Sequence, residues 1–111
     1  MTTLAQARKL ALALPEVTEE DHHDITSFRV RGRIFATAPD GTHLRVMVDE
    51  IEIRAAVAEN PKACQEFYWG KRLACVVVDL KMANLALVRD LLTDAWIRKA
   101  PAKLVRDLTD G

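Results

Sequence analysis

Apolar and polar positions follow two different periods along this chain, and the places where the period changes mark its elements. Leu4, Ala7, Leu10, Ala11 and Leu14 recur at three- and four-residue spacing, the stripe of a helix that Thr3 caps and Pro15 ends. Residues 16–24, EVTEEDHHD, carry five acids and two histidines with little apolar content, and read as a solvated connector or a weak edge strand. The period then becomes two. Phe28 and Val30 fall on one face of a strand, Arg29 and Arg31 on the other. Arg31, Gly32 and Arg33 make a tight turn in which Gly32 takes the positive φ of a primed hairpin, and residues 34–38 return. A turn at Pro39, Asp40, Gly41 and Thr42 leads to a third strand with Leu44, Val46 and Val48 facing in and His43, Arg45 and Met47 facing out.

Asp49 caps a helix to about residue 59, with Ile53, Ala56 and Val57 inward and Asn60-Pro61 as its stop. Residues 66–69 and 73–79 are strands around a Gly70-Lys71-Arg72 turn, the second apolar on both faces. Such a strand belongs in the middle of a sheet or under a partner, and if helices cover one side, Ala74, Val76, Val78 or their neighbours must meet another surface. That surface is a second copy, another protein, or the chain's own segment 101–108 folded back. The last long helix starts near Asn84 and turns Val88, Leu91, Leu92, Ala95 and Trp96 inward. Pro101 breaks it and opens a short terminal turn. The order is α-β-β-β-α-β-β-α, an α+β fold of two layers with an antiparallel sheet and helices packed on one face.

Composition narrows the picture. The 111 residues, half of them hydrophobic, suit a single domain over residues 1–111 with a core of its own. Sixteen Lys and Arg balance sixteen Asp and Glu, so any electrostatic partner must be read from local asymmetry. Cys64 and Cys75 lack any metal or redox spacing and read as reduced, buried thiols of a cytoplasmic protein. Arg8 and Lys9 interrupt the first apolar run, which is too short for a membrane span.

Several stretches carry a resemblance. ALPEVTEEDHHDITSFRVRGRIFAT, then YWGKRLACVVVDL and LLTDAWIRKAPAKL, resemble the MmcQ/YjbR family of small bacterial proteins over nearly the whole chain. Ser27, Phe28, Val30, Gly32, Ile34, Phe35 and Ala36 stand in its strand-turn-strand motif, and Tyr68, Trp69, Gly70, Lys71 and Arg72 in its aromatic-basic turn. Arg33 stands where many relatives carry Lys. The resemblance implies a two-layer α+β fold similar to secretion-chaperone-like or frataxin-like (CyaY-like) domains. It also implies the label "DNA-binding protein", which the family often carries, and it brings no catalytic residues.

The chain's own charges bear on that label. Residues 25–48 hold Arg29, Arg31, Arg33 and Arg45 against a single acid, Asp40. Arg29, Arg31 and Arg45 are expected to share the outer face of the meander. Lys71 and Arg72 add charge at a second turn, where Tyr68 and Trp69 offer rings for a base or a guanidinium. Arg29, Arg31, Arg33, Arg45, Trp69, Lys71 and Arg72 are therefore the candidate contacts to a phosphate backbone. The acidic run before the first strand opposes this by offering cross-strand pairs. Trp69 is expected exposed and Trp96 in the core. His22 and His23 are adjacent on an extended chain and point apart, so they do not share an ion, and His43 joins them only if the fold brings it near. Neither thiol nor Ser27 sits in a nucleophile motif, and four glycines form no nucleotide-binding loop. The expectation is a binding domain without cofactor, metal or catalytic residues. DNA is its leading partner, and the alternative is a homodimer or a chaperone-like module for another protein.

Overall fold

The computed structural model describes residues 1–110. In chain order the elements are α1 (Leu4–Leu12), β1 (Val17–His22), β2 (Ile25–Val30), β3 (Arg33–Ala38), β4 (His43–Val46), α2 (Glu50–Glu59), β5 (Cys64–Trp69), β6 (Arg72–Asp79), α3 (Leu85–Lys99) and α4 (Ala102–Asp110). The strands form one antiparallel sheet in the order β1-β2-β3-β4-β6-β5. Helices α1, α2 and α3 pack on one face of it.

Local chemistry sets the helix starts. The Thr3 hydroxyl accepts from the Gln6 amide while the Gln6 side chain accepts from the Thr3 amide, a reciprocal cap. Asp49 and Asn84 accept from the third residue of α2 and α3 in the same way. The core joins Phe28, Val30, Leu44, Val46, Val76 and Val78 of the sheet to Ala7, Ala11, Ile53, Leu91, Leu92 and Trp96 of the helices. Trp96 is fully buried, and its Nε1 donates to the Pro15 carbonyl at 3.0 Å. Thr2 is tied down as well. Its amide donates to Leu80 and its hydroxyl to Ala83, which fastens the chain start to the loop before α3.

Of the two readings of the acidic segment, the edge strand holds, because residues 17–22 pair in register with residues 25–30 and keep their acids on the solvated edge. Two expectations change. The terminal turn is a nine-residue helix that packs Leu104 and Val105 on the core. Val76 and Val78 lie under the helices, so the apolar residues of β6 on the open face are Cys75 and Val77, with Ala74 beside them.

Two register shifts matter most. Phe28 pairs with Ala36 but Arg29 with Ile34, so Phe35 is an extra residue in β3 and its side chain joins the core beside Ala36. Likewise Phe67 pairs with Cys75 but Tyr68 with Leu73, which makes Ala74 the extra residue in β6. A bulge inverts the facing of every residue beyond it. Counting back from Ala36, strict alternation would bury Ile34, and counting back from Val76 it would turn Arg72 toward the helices. The bulges instead put Ile34 and Arg72 on the open face and turn Arg33 to the helix side.

Candidate functional site

The seven candidate contact residues separate into three groups. Arg29 lies on the open face, as expected, but its Nε donates to Ser27 Oγ at 3.1 Å and sits 3.9 Å from Glu20 on β1. Arg31 does not share that face. It occupies the β2–β3 turn at φ 51°, followed by Gly32 at φ 80°, the primed geometry in which both turn residues have positive φ. Its guanidinium is held by both carboxylate oxygens of Glu16, at 2.6 and 3.1 Å, and this pairing pulls the Glu16 carboxyl below its usual range. The acidic segment thus gives both arginines a carboxylate neighbour, Glu20 for Arg29 and Glu16 for Arg31.

A second group meets where the β2–β3 and β5–β6 turns and the end of α3 come together. Arg33, Arg72 and Arg98 all bear on Lys99, whose ammonium is pushed down by burial first and then by these three charges. Lys71 stands in the turn beside them, between Gly70 and Arg72. Among the described residues none of Arg33, Lys71, Arg72, Arg98 and Lys99 has an acid at ion-pair distance. Arg98 is held by the Met47 and Val48 carbonyls at 3.1 and 3.4 Å. Sequence reading missed Arg98 and Lys99. The available signal was two cations at the last turn of a helix that ends beside two hairpins.

The third group faces a trough of about 520 Å3 in the open side of the sheet. It runs from His22 at the end of β1 and His23 in the turn after it, across Ile34, Thr37 and Arg45, to Arg72 on β6 and Trp69 on the opposite edge strand β5. Arg45 has its guanidinium carbon 4.8 Å from the centre of the Phe67 ring, a cation–π contact, and no acidic partner among the described residues. Trp69 is 75% exposed. Cys75 also lines the trough, and burial pushes its thiol up to about 11 against a smaller opposing pull from Arg45. The α4 segment contributes nothing to this lining, so it does not cover the open face.

The histidine expectation needs correction. His23 leaves the extended conformation at φ 51°, and with Asp24 at φ 65° forms the turn, so the two rings are not forced apart. Their centres are 4.5 Å apart, edge to face. His43 is engaged elsewhere, with Asp40 at 3.1 Å and Thr42 at 2.9 Å. Among the described residues no three His, Cys, Asp or Glu side chains converge as a metal site.

Sequence reading also missed a carboxyl pair between α2 and α3. Glu52 is pushed up to about 7, mainly by burial, then by Asp94 and Asp49, with Arg98 opposing. Its Oε2 is buried without a hydrogen-bond partner among the described residues, and burial and the neighbouring Asp94 favour the protonated form. These residues and Arg98 border a cleft of about 320 Å3. The remaining nucleophile candidates are occupied or suppressed. Ser27 is fully buried and donates to the Glu20 carbonyl, and burial raises the Cys64 thiol.

Comparison with known proteins places this geometry. The chain is similar to the crystal structure of Deinococcus radiodurans protein DR2400, which carries a DUF419 domain, with a TM-score of 0.77 over 99% of this chain and 89% of that one. Identity there is 21%, so the likeness concerns the fold. No curated protein matches the chain. No helix among the described residues is long and apolar enough to cross a membrane. A family model, YjbR, matches residues 12–97, from the end of α1 to the last turns of α3 and across every strand, and the chain belongs to the YjbR family.

Proposed function

We propose that this domain is a non-catalytic binding module that takes the phosphate backbone of DNA on the corner formed by Arg33, Lys71, Arg72, Arg98 and Lys99, with Trp69 available to stack on a base. The observation that carries the reading is the crowding of these cations without a carboxylate at ion-pair distance among the described residues. Like charges held together raise the energy of the free protein, and a polyanion relieves it while releasing its own counterions. Ring stacking is tolerant of base identity, so the expected binding has little sequence preference. The Glu16 and Glu20 pairings support moving the interface away from Arg29 and Arg31.

Anisotropy of labelled duplex and single-stranded DNA, titrated at several salt concentrations, tests this. Arg33→Ala/Arg72→Ala/Lys99→Ala is expected to weaken binding across sequences alike. It should lower the slope of log K against log salt by roughly 0.9 per lost phosphate contact on duplex. Arg29→Ala/Arg31→Ala should leave both unchanged. Equal loss in the two variants, or no binding at low salt, refutes the corner.

A second reading draws on the open face. Trp69, Phe67, Met47 and Val77 meet no helix there, which favours an interface with another copy or another protein. It predicts a mass that rises with concentration in sedimentation and falls to the monomer in Trp69→Glu.

A further inference from the structure

Two polar groups on the floor of the open-face trough lack partners. Thr37 is only 7% exposed, and its Oγ1 is buried with no hydrogen-bond partner among the described residues. Arg45 lies directly opposite it on β4, over the Phe67 ring and with no acid at ion-pair distance among the described residues. A buried hydroxyl is normally satisfied, and a cation lodged against apolar walls is normally paired. Both groups line the same cavity, whose remaining wall is largely apolar, with Ile25, Ile34 and Met47 beside Phe67.

We infer that the trough is a binding site for a small organic anion with a flat apolar body, an aromatic carboxylate, which meets the Arg45 guanidinium and the Thr37 hydroxyl with its carboxylate. The guanidinium donates to one carboxylate oxygen, the Thr37 hydroxyl turns about χ1 toward the cavity to donate to the other, and the body lies against Ile25, Ile34 and Phe67. On the trough floor one guanidinium and one hydroxyl stand among apolar side chains, with Arg72, His22 and His23 at the borders, and this suits one delocalised negative charge on an apolar frame. A phosphate diester backbone needs several cations in a solvated setting, which the basic corner has and the trough floor lacks. The volume, about 520 Å3, falls in the range of small-molecule sites. Trp69 is exposed at the rim and Trp96 is fully buried in the core, so a change in tryptophan emission on binding reports the trough.

The test titrates the full chain with 2-naphthoate, and with 2-naphthalenemethanol as its neutral counterpart, by calorimetry and by amide shifts in 15N-labelled protein. Naphthoate is expected to bind at least tenfold more tightly than the alcohol and to move the amides of Thr37, Arg45 and Phe67. Arg45→Met should remove that preference, lowering naphthoate affinity at least tenfold and leaving the alcohol unchanged. Thr37→Val, close to the same shape, should lower it about threefold, and carries the test if Arg45→Met does not fold. The Arg33→Ala/Arg72→Ala/Lys99→Ala variant does not serve here, because Arg72 borders the trough. Lys99→Ala alone should leave naphthoate binding intact while weakening DNA, so either reading can fail without the other. Equal affinity for acid and alcohol, shifts confined to the basic corner, no shifts at millimolar naphthoate, or a dimer that buries these amides would overturn the assignment.

Discussion

The two faces of the sheet are built from the same strands by the same alternation, yet they have different physics. The helix side buries Phe28, Val30, Leu44, Val46, Val76 and Val78 almost completely against α1, α2 and α3. The open side carries Ile25, Ile34, Met47 and Phe67, only partly buried, with Arg45 and an unpartnered Thr37 hydroxyl among them. The contrast separates two jobs. One face holds the fold by removing apolar area from water, and the other leaves apolar area and unsatisfied polar groups available.

The largest test of that division compares phenylalanines. Phe28→Ala, on the covered face, should lose about 3–5 kcal/mol of stability by denaturant titration, the usual range for a fully buried aromatic. Phe67→Ala should lose about 1 kcal/mol or less, mostly through its contact with Arg45. Comparable losses would mean that the open face is packed by something. The thiol of Cys75 comes next. Pushed up to about 11, it should alkylate with iodoacetamide at pH 8 about 100-fold more slowly than free cysteine, and a rate near that of free cysteine breaks the assignment.

A polar exception inside the covered side sharpens the comparison further. Glu52 is pushed up to about 7 in the folded protein, so the native state holds a proton that the unfolded chain gives up near pH 4.5. This contribution is favourable at low pH and is lost as pH rises from about 4.5 through 7, opposite to an ordinary salt-bridged carboxylate. Glu52→Gln should therefore match the parent at pH 4 and exceed it by about 1 kcal/mol at pH 8, a figure reduced for partial solvent exposure. Parallel stability curves from pH 4 to 8 would remove the buried pair. The smallest effect belongs to a turn at the rim. Asp24 holds φ 65°, and Asp24→Gly should gain about 0.5 kcal/mol in melting experiments by relieving left-handed strain. A loss instead would mean that the Asp24 side chain stabilises the β1–β2 hairpin.

Much of the architecture was legible in the chain. The capping residues Thr3, Asp49 and Asn84, the stripe through Val88, Leu91, Leu92, Ala95 and Trp96, and the inward set Leu44, Val46 and Val48 stand where periodicity puts them. These are short-range signals, each complete within a turn of helix or a few strand residues. The strand character of residues 17–22 was only half visible, because an edge strand with polar side chains is defined by its backbone partner. Of the candidate contacts, Arg45, Trp69, Lys71 and Arg72 face open surface, and Arg29 and Arg31 are neutralised by acids that the sequence places nearby without saying which way they turn.

The sequence by itself determined the order of the elements apart from edge strand β1 and helix α4, together with the caps and most of the core, since helix and strand periods are written in neighbouring residues. Only the tertiary structure decided what each face presents. Alternation carries one facing along a strand until an extra residue inverts it, and whether Phe35 and Ala74 are extra depends on the strands paired beside them. Those two bulges send Ile34 and Arg72 to the trough and Arg33 to Lys99, and so build both candidate sites from residues whose facing no local pattern reveals.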